Sequence, residues 1–188
     1  ASWENIKHTI KSYMIALLIS ETVLIAFFVV LDLLLFYVFF EAVLIPLFII
    51  IGVWGASADR IRASFLLFLY TLFGSLFMLL AFLVIFYHVG STDFEVLSLA
   101  EISFENQRWL WLAIFLSLAI KTPLLPVHIW LSRAHVEAPV AASMVLAGLI
   151  LKLATYGFVR VLIPFLPEAT SYFSPLVQTI AVVTLVYS

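Results

Sequence analysis

Glu41, Lys121 and Lys152 each stand near the middle of a long apolar run, on three separate runs of this 188-residue chain. A lysine so placed costs about 2.5–3.5 kcal/mol on membrane-insertion scales, so each needs a partner. The bland readings are a structural ion pair or a snorkelling side chain. Snorkelling is hard from mid-span, and three such residues on three runs favour the handling of protons or ions. Protons fit the chemistry: burial favours the neutral forms of carboxylate and ammonium, whereas an opposite charge nearby favours both ionised forms. A Glu–Lys pair is therefore bistable. Ionised Glu41 would hold Lys121 protonated, and separating the pair would let Lys121 pass its proton on toward Lys152.

Weaker candidates surround these three. Glu21 lies mid-run between Ser20 and Thr22; a second carboxylate beside Glu41 and a protonated, hydrogen-bonded carboxyl both stand as readings. His128 and His135 are seven residues apart, roughly one helical face, but Pro126 precedes them. A hydrated relay at His128 or a satisfied structural histidine fits better than metal or haem ligation. Gly148, Lys152 and Tyr156 recur every four residues with Thr155 beside them, a wet stripe or a small-residue packing face. Arg160, near a helix end, reads as snorkelling. The chain has no cysteine, which excludes thiolate metal sites and iron–sulfur ligation in it. Its six glycines form no nucleotide-binding pattern. No metal or cofactor site is expected in this chain.

The elements that must position these residues follow from composition and breakers. Hydrophobic residues make up 65% of the chain and charged ones 11%, with a mean hydropathy of +1.23; a soluble domain holds roughly 45–50% apolar residues. The lipid bilayer is thus its solvent, and without a basic stripe nucleic acid is no partner. The fold class is all-α: a polytopic transmembrane helix bundle, one transmembrane domain over residues 1–188. Spans are expected at about 13–31, 33–53, 63–87, 109–131, 140–163 and 172–188, with 88–108 interfacial. The fourth of these must be a broken helix, because Pro123 and Pro126 each lack a donor and leave the carbonyls of Ala119 and Thr122 without their usual partners. Pro164 and Pro167 should stop the fifth. The sixth is shorter than a full crossing and reads as truncated. Threading these spans puts Lys7, Lys11, Arg60, Arg62 and Arg133 on one side and Asp32, Asp93, Glu95, Glu101, Glu105, Arg108 and Glu168 on the other. By the positive-inside rule the N-terminus of this piece faces the matrix or cytoplasm.

Two runs carry a resemblance: LDLLLFYVFFEAVLIPLFIIIGVWG, residues 31–55, and KTPLLPVHIWLSRAHVEAPVAASMVLAGLILKLATYGFVR, residues 121–160. They resemble the antiporter-like membrane subunits of NADH:ubiquinone oxidoreductase, respiratory complex I, and the likeness extends over essentially the whole chain. The resemblance implies an antiporter-like fold of which this chain is a piece, since it begins without methionine and ends inside a helix. It also implies a proton-translocating subunit in the mitochondrial inner membrane, partnered by other membrane subunits. NADH, flavin, iron–sulfur clusters and ubiquinone would be handled in other chains. Glu41, Lys121 and Lys152 match the proposed proton carriers of the family, Glu21 matches an acidic residue on the preceding helix, and His128 lies on the broken helix. The last residue of the family's proton path sits on a helix this sequence does not reach. Ser132 and Arg133 depart from relatives, which often carry a proline there. Two rivals remain: a stand-alone or Mrp-type cation/proton antiporter, and a membrane scaffold whose buried charges only lock helices together.

Overall fold

A computed structural model describes Ile6 and residues 9–187; Lys7, counted above among the inward-facing positive residues, lies outside the described residues. The elements are α1 (Ile10–Val29), α2 (Leu33–Trp54), α3 (Arg60–Val89), α4 (Phe94–Leu99), α5 (Phe104–Lys121), α6 (Ile129–Glu137), α7 (Val140–Phe165) and α8 (Pro167–Tyr187). The described residues contain no β-strand beyond one isolated bridge. By length and composition α1, α2, α3, α7 and α8 could each cross a membrane. The central helix is α5: ten of its 18 residues are buried, whereas α8 buries Ala169 alone and forms an edge.

Close approach at α5 is set by Gly74 of α3. A Cβ there would stand 2.7 Å from Ile120 Cδ1 and 3.3 Å from Ser117 Cα, so a larger residue would push the two helices apart. On the other side Phe27, Phe36 and Phe40 are fully buried, with ring centroids 4.7 Å apart for Phe27–Phe36 and 6.0 Å for Phe36–Phe40. Trp111 stacks at 4.7 Å on Phe115 and at 4.6 Å on Phe173, and its indole N–H donates to Thr170 Oγ1 at 3.0 Å, which ties α8 to α5.

Both ends of the bundle are locked by a carboxylate. Asp32 caps α2, accepting from the amides of Leu34 and Leu35 at 2.9 Å each, and its other oxygen accepts from the Thr92 hydroxyl. The same two loops pair through Leu33 N–H to Thr92 O at 2.8 Å and Phe94 N–H to Leu31 O at 3.0 Å. Burial pushes the Asp32 carboxyl up, but the bonds from Thr92, Leu35 and Leu34 prevail and hold it below the ordinary carboxylate value. At the opposite end Glu137, 8% exposed, accepts from Ser57 N–H at 2.9 Å and Ser57 Oγ at 2.8 Å, and its backbone carbonyl accepts from Ala56 N–H at 2.9 Å. Asp59, Arg62, Ser132, Arg133 and Glu137 line a cleft at this end.

Several boundaries differ from the sequence expectation. Helix α3 runs from Arg60 rather than 63 and ends at Val89 rather than 87, where Gly90 takes a left-handed conformation (φ 77). The 88–108 piece is not one interfacial segment: it holds α4, capped by the Asp93 side chain accepting from Glu95 N–H at 2.8 Å, and then the first turn of α5. Helix α5 therefore opens at Phe104, not 109, with Glu105 in its first turn where the helix dipole favours an acid. It stops at Lys121 rather than continuing to 131, and α6 is a separate helix. Helix α7 passes through Pro164 because a π-helical turn over Phe158–Leu162 widens the backbone there, with Ile163 N–H donating to Phe158 O, five residues back. The last helix starts at Pro167, not 172, and at 21 residues is long enough to cross.

Candidate functional site: a buried glutamate and lysine beside two helix breaks

Lys121 is the last residue of α5 and 1% exposed. Its ammonium donates to the backbone oxygen of Phe40 at 2.5 Å and sits 3.4 Å from the centroid of the Phe40 ring. A carbonyl dipole and a π face both favour the charged amine. The breaking of α5 beyond Lys121 leaves fewer orphan carbonyls than Pro123 and Pro126 suggest. Ala119 O accepts from Leu124 N–H at 2.9 Å, and the neighbouring Ile120 O accepts from the Trp130 indole at 2.8 Å. The expectation that Ala119 loses its partner is thus corrected: the chain rewinds by one residue, and buried Trp130 of α6 fills the next gap.

Glu41 follows Phe40 directly and interacts electrostatically with Lys121. Its helix is also broken. Pro46 has no N–H to offer Ala42 O, and α2 is interrupted at Val43. The sequence reading passed over Pro46, although its place five residues after Glu41 was the available signal. Glu41 Oε1 is buried without a hydrogen-bond partner among the described residues. Ser75 of α3, fully buried, stands beside both Glu41 and Tyr37, the latter one turn back on α2.

The remaining candidates are not gathered here. Lys152 is exposed on α7, between the π-helical turns Leu146–Ile150 and Phe158–Leu162. Gly148 and Thr155 are exposed on the same helix, while Tyr156 turns inward and its hydroxyl donates to Phe28 O at 3.4 Å. Glu21 is exposed on α1. Its flanking hydroxyls are spent on their own helix, Ser20 on Ala16 O and Thr22 on Leu18 O, each at 2.8 Å. His128 precedes α6 with Nδ1 buried and unpartnered, and its ring lies 5.5 Å from that of Tyr187. Arg160 lies 5.5 Å from the Phe94 ring. No group of three or more His, Cys, Asp or Glu suited to a metal occurs among the described residues. Sequence reasoning also missed Tyr37 and Ser75, each of which stands four residues from another polar residue: Tyr37–Glu41 and Thr71–Ser75.

Residues 30–188 match the model of the family described as NADH:quinone oxidoreductase/Mrp antiporter, transmembrane. The chain belongs to this family. Over all of its length it is 71% identical to NADH-ubiquinone oxidoreductase chain 4 of Mycosarcoma maydis, covering 39% of that protein. The chain thus spans about two fifths of the length of that relative. Among solved structures, respiratory complex I from Thermus thermophilus contains a chain 36% identical to this one; the match has a TM-score of 0.84 and covers 90% of this chain and 36% of that one. An archaeal membrane-bound sulfane sulfur reductase matches with a TM-score of 0.83 at 19% identity, over 94% of this chain and 37% of that one, a likeness of fold alone. The antiporter-like fold expected from residues 31–55 and 121–160 is therefore the fold of the family.

Proposed function

We propose that this chain is the part of a chain-4-type membrane subunit of NADH:ubiquinone oxidoreductase that carries the first half of its proton path. It would act as one transmembrane domain in the mitochondrial inner membrane beside other membrane subunits of the complex. The supporting observation is the contact of Lys121 with Phe40 O and the Phe40 ring, which brings its buried ammonium beside Glu41 at two helix breaks. With Glu41 ionised, Lys121 keeps its proton. When Glu41 takes up a proton the ammonium loses its countercharge, and release toward Lys152 becomes favourable. Lys152 is the onward acceptor in this reading, with Glu21 and His128 as relays. Oxidation of NADH and reduction of ubiquinone, with flavin and iron–sulfur clusters, belong to other chains.

The test is Glu41→Gln in the full-length subunit of the assembled complex, with assembly checked on a native gel. Turnover and pumping should fall together, by tenfold or more, with assembly intact; both at wild-type level would sink the reading. Sodium-dependent transport by the isolated full-length subunit would instead favour the cation/proton antiporter. Loss of assembly with normal specific turnover in Lys121→Met would favour a scaffold.

A further inference from the structure

Glu41 has a neighbour that neither sequence motif nor family match singles out. Ser75 is fully buried on α3, and its hydroxyl donates to Leu72 O at 2.9 Å within its own helix. Glu41 and the Tyr37 hydroxyl both lie beside it. Glu41 also keeps a buried oxygen, Oε1, without a partner among the described residues. The Ser75 proton thus has two alternative acceptors, a helix carbonyl and a carboxylate, and rotation about one bond exchanges them.

We propose that Ser75 is a positioning residue for Glu41, a hydroxyl rotor that turns its proton to Glu41 when the carboxylate is ionised and back to Leu72 O when Glu41 is protonated. In the second state the protonated carboxyl donates to Ser75 Oγ, so both states are hydrogen-bonded and neither strands a buried oxygen. Tyr37, one turn before Glu41 on α2, steadies the serine. This inference rests on the proton-carrying role proposed for Glu41. Charged and titratable groups facing Glu41 are few: Lys121 comes from α5 and Tyr37 from α2, α3 contributes the uncharged Ser75, and Glu21 of α1 is exposed. Thr71, one turn from Ser75, provides an internal control, because its hydroxyl is committed to Leu67 O at 2.7 Å and Phe68 O at 3.1 Å.

The test is the pH profile of NADH:quinone turnover and of pumping in the assembled complex carrying Ser75→Ala, Tyr37→Phe, Thr71→Ala or Glu41→Gln. Ser75→Ala removes a bond from both states of Glu41, but the bond to the ionised carboxylate is the stronger, so the acid limb should move upward by the difference, up to about one pH unit. Tyr37→Phe should move it less, the double variant no further than Ser75→Ala alone, and Thr71→Ala not at all. If Ser75→Ala does not assemble, Ser75→Cys, which keeps the volume and a weak donor, takes its place with a smaller shift expected. An unmoved limb in the Ser75 and Tyr37 variants, with Glu41→Gln inactive, overturns the rotor and leaves the proton path standing. A silent Glu41→Gln overturns the proton path itself.

Discussion

Lys121 and Lys152 lie on similarly apolar runs, yet the structure treats them as opposites. Lys121 is enclosed where α2, α3 and α5 meet, held by the Phe40 carbonyl and ring and opposed by Glu41. Lys152 is exposed on α7 between two π-helical turns. Both sit beside irregular backbone, but the irregularity serves different ends. At Lys121 it frees carbonyls that are then reclaimed by Leu124 and Trp130, which fixes the geometry. At Lys152 it changes which residues share a face without supplying a partner among the described residues. A lysine at membrane depth cannot rest against lipid without a cost of several kcal/mol; Lys121 finds its partners within these helices, whereas Lys152 finds none among the described residues.

The sharpest way to break this contrast is a paired substitution. Lys121→Met and Lys152→Met should each lower coupled turnover of the assembled complex by tenfold or more. Only Lys121→Met should also alter the thermal stability of the subunit, since it removes a buried charge and leaves Glu41 unopposed. Equal thermal shifts in a detergent melting assay would erase the distinction. Next in size is Glu137→Ala, which removes the two hydrogen bonds that the buried carboxylate accepts from exposed Ser57. A loss of about 2–3 kcal/mol is expected, read as a lower unfolding midpoint, and Glu137→Gln should recover part of it. A smaller effect is predicted for Trp130→Phe. It leaves Ile120 O unpaired one residue from Lys121, at about 1–2 kcal/mol, and should lower pumping more than the same substitution at exposed Trp109 does.

The smallest effect belongs to the far end of the bundle. The Asp32 carboxyl is held below its ordinary value in the folded chain, so its contribution to stability is present above that value and lost as pH falls through the folded one. Asp32→Asn should therefore flatten the acid side of a stability-versus-pH curve below about pH 4 and leave the curve at neutral pH nearly parallel to wild type. A change in turnover at neutral pH would mean that this lock and the Lys121 site are coupled after all.

Much of this was legible in the residues themselves. Apolar runs of membrane length, the turn at Asp32 and the mid-span positions of Glu41, Lys121 and Lys152 follow from counting residues against bilayer thickness, a constraint that acts on each segment separately. The break after Lys121 was legible too, because Pro123 lacks a donor wherever it sits. The partners of that break were not: that Leu124 and Trp130 reclaim its carbonyls, and that Lys121 takes the oxygen of Phe40 on another helix, depends on how helices dock. Glu21 shows the same limit, since its flanking hydroxyls bind their own helix and its face points outward, neither of which its span reveals. Sequence determined which groups must be satisfied, since desolvation is a property of each group; tertiary structure decided by whom, since a hydrogen bond or ion pair is a property of two groups brought within a few ångströms.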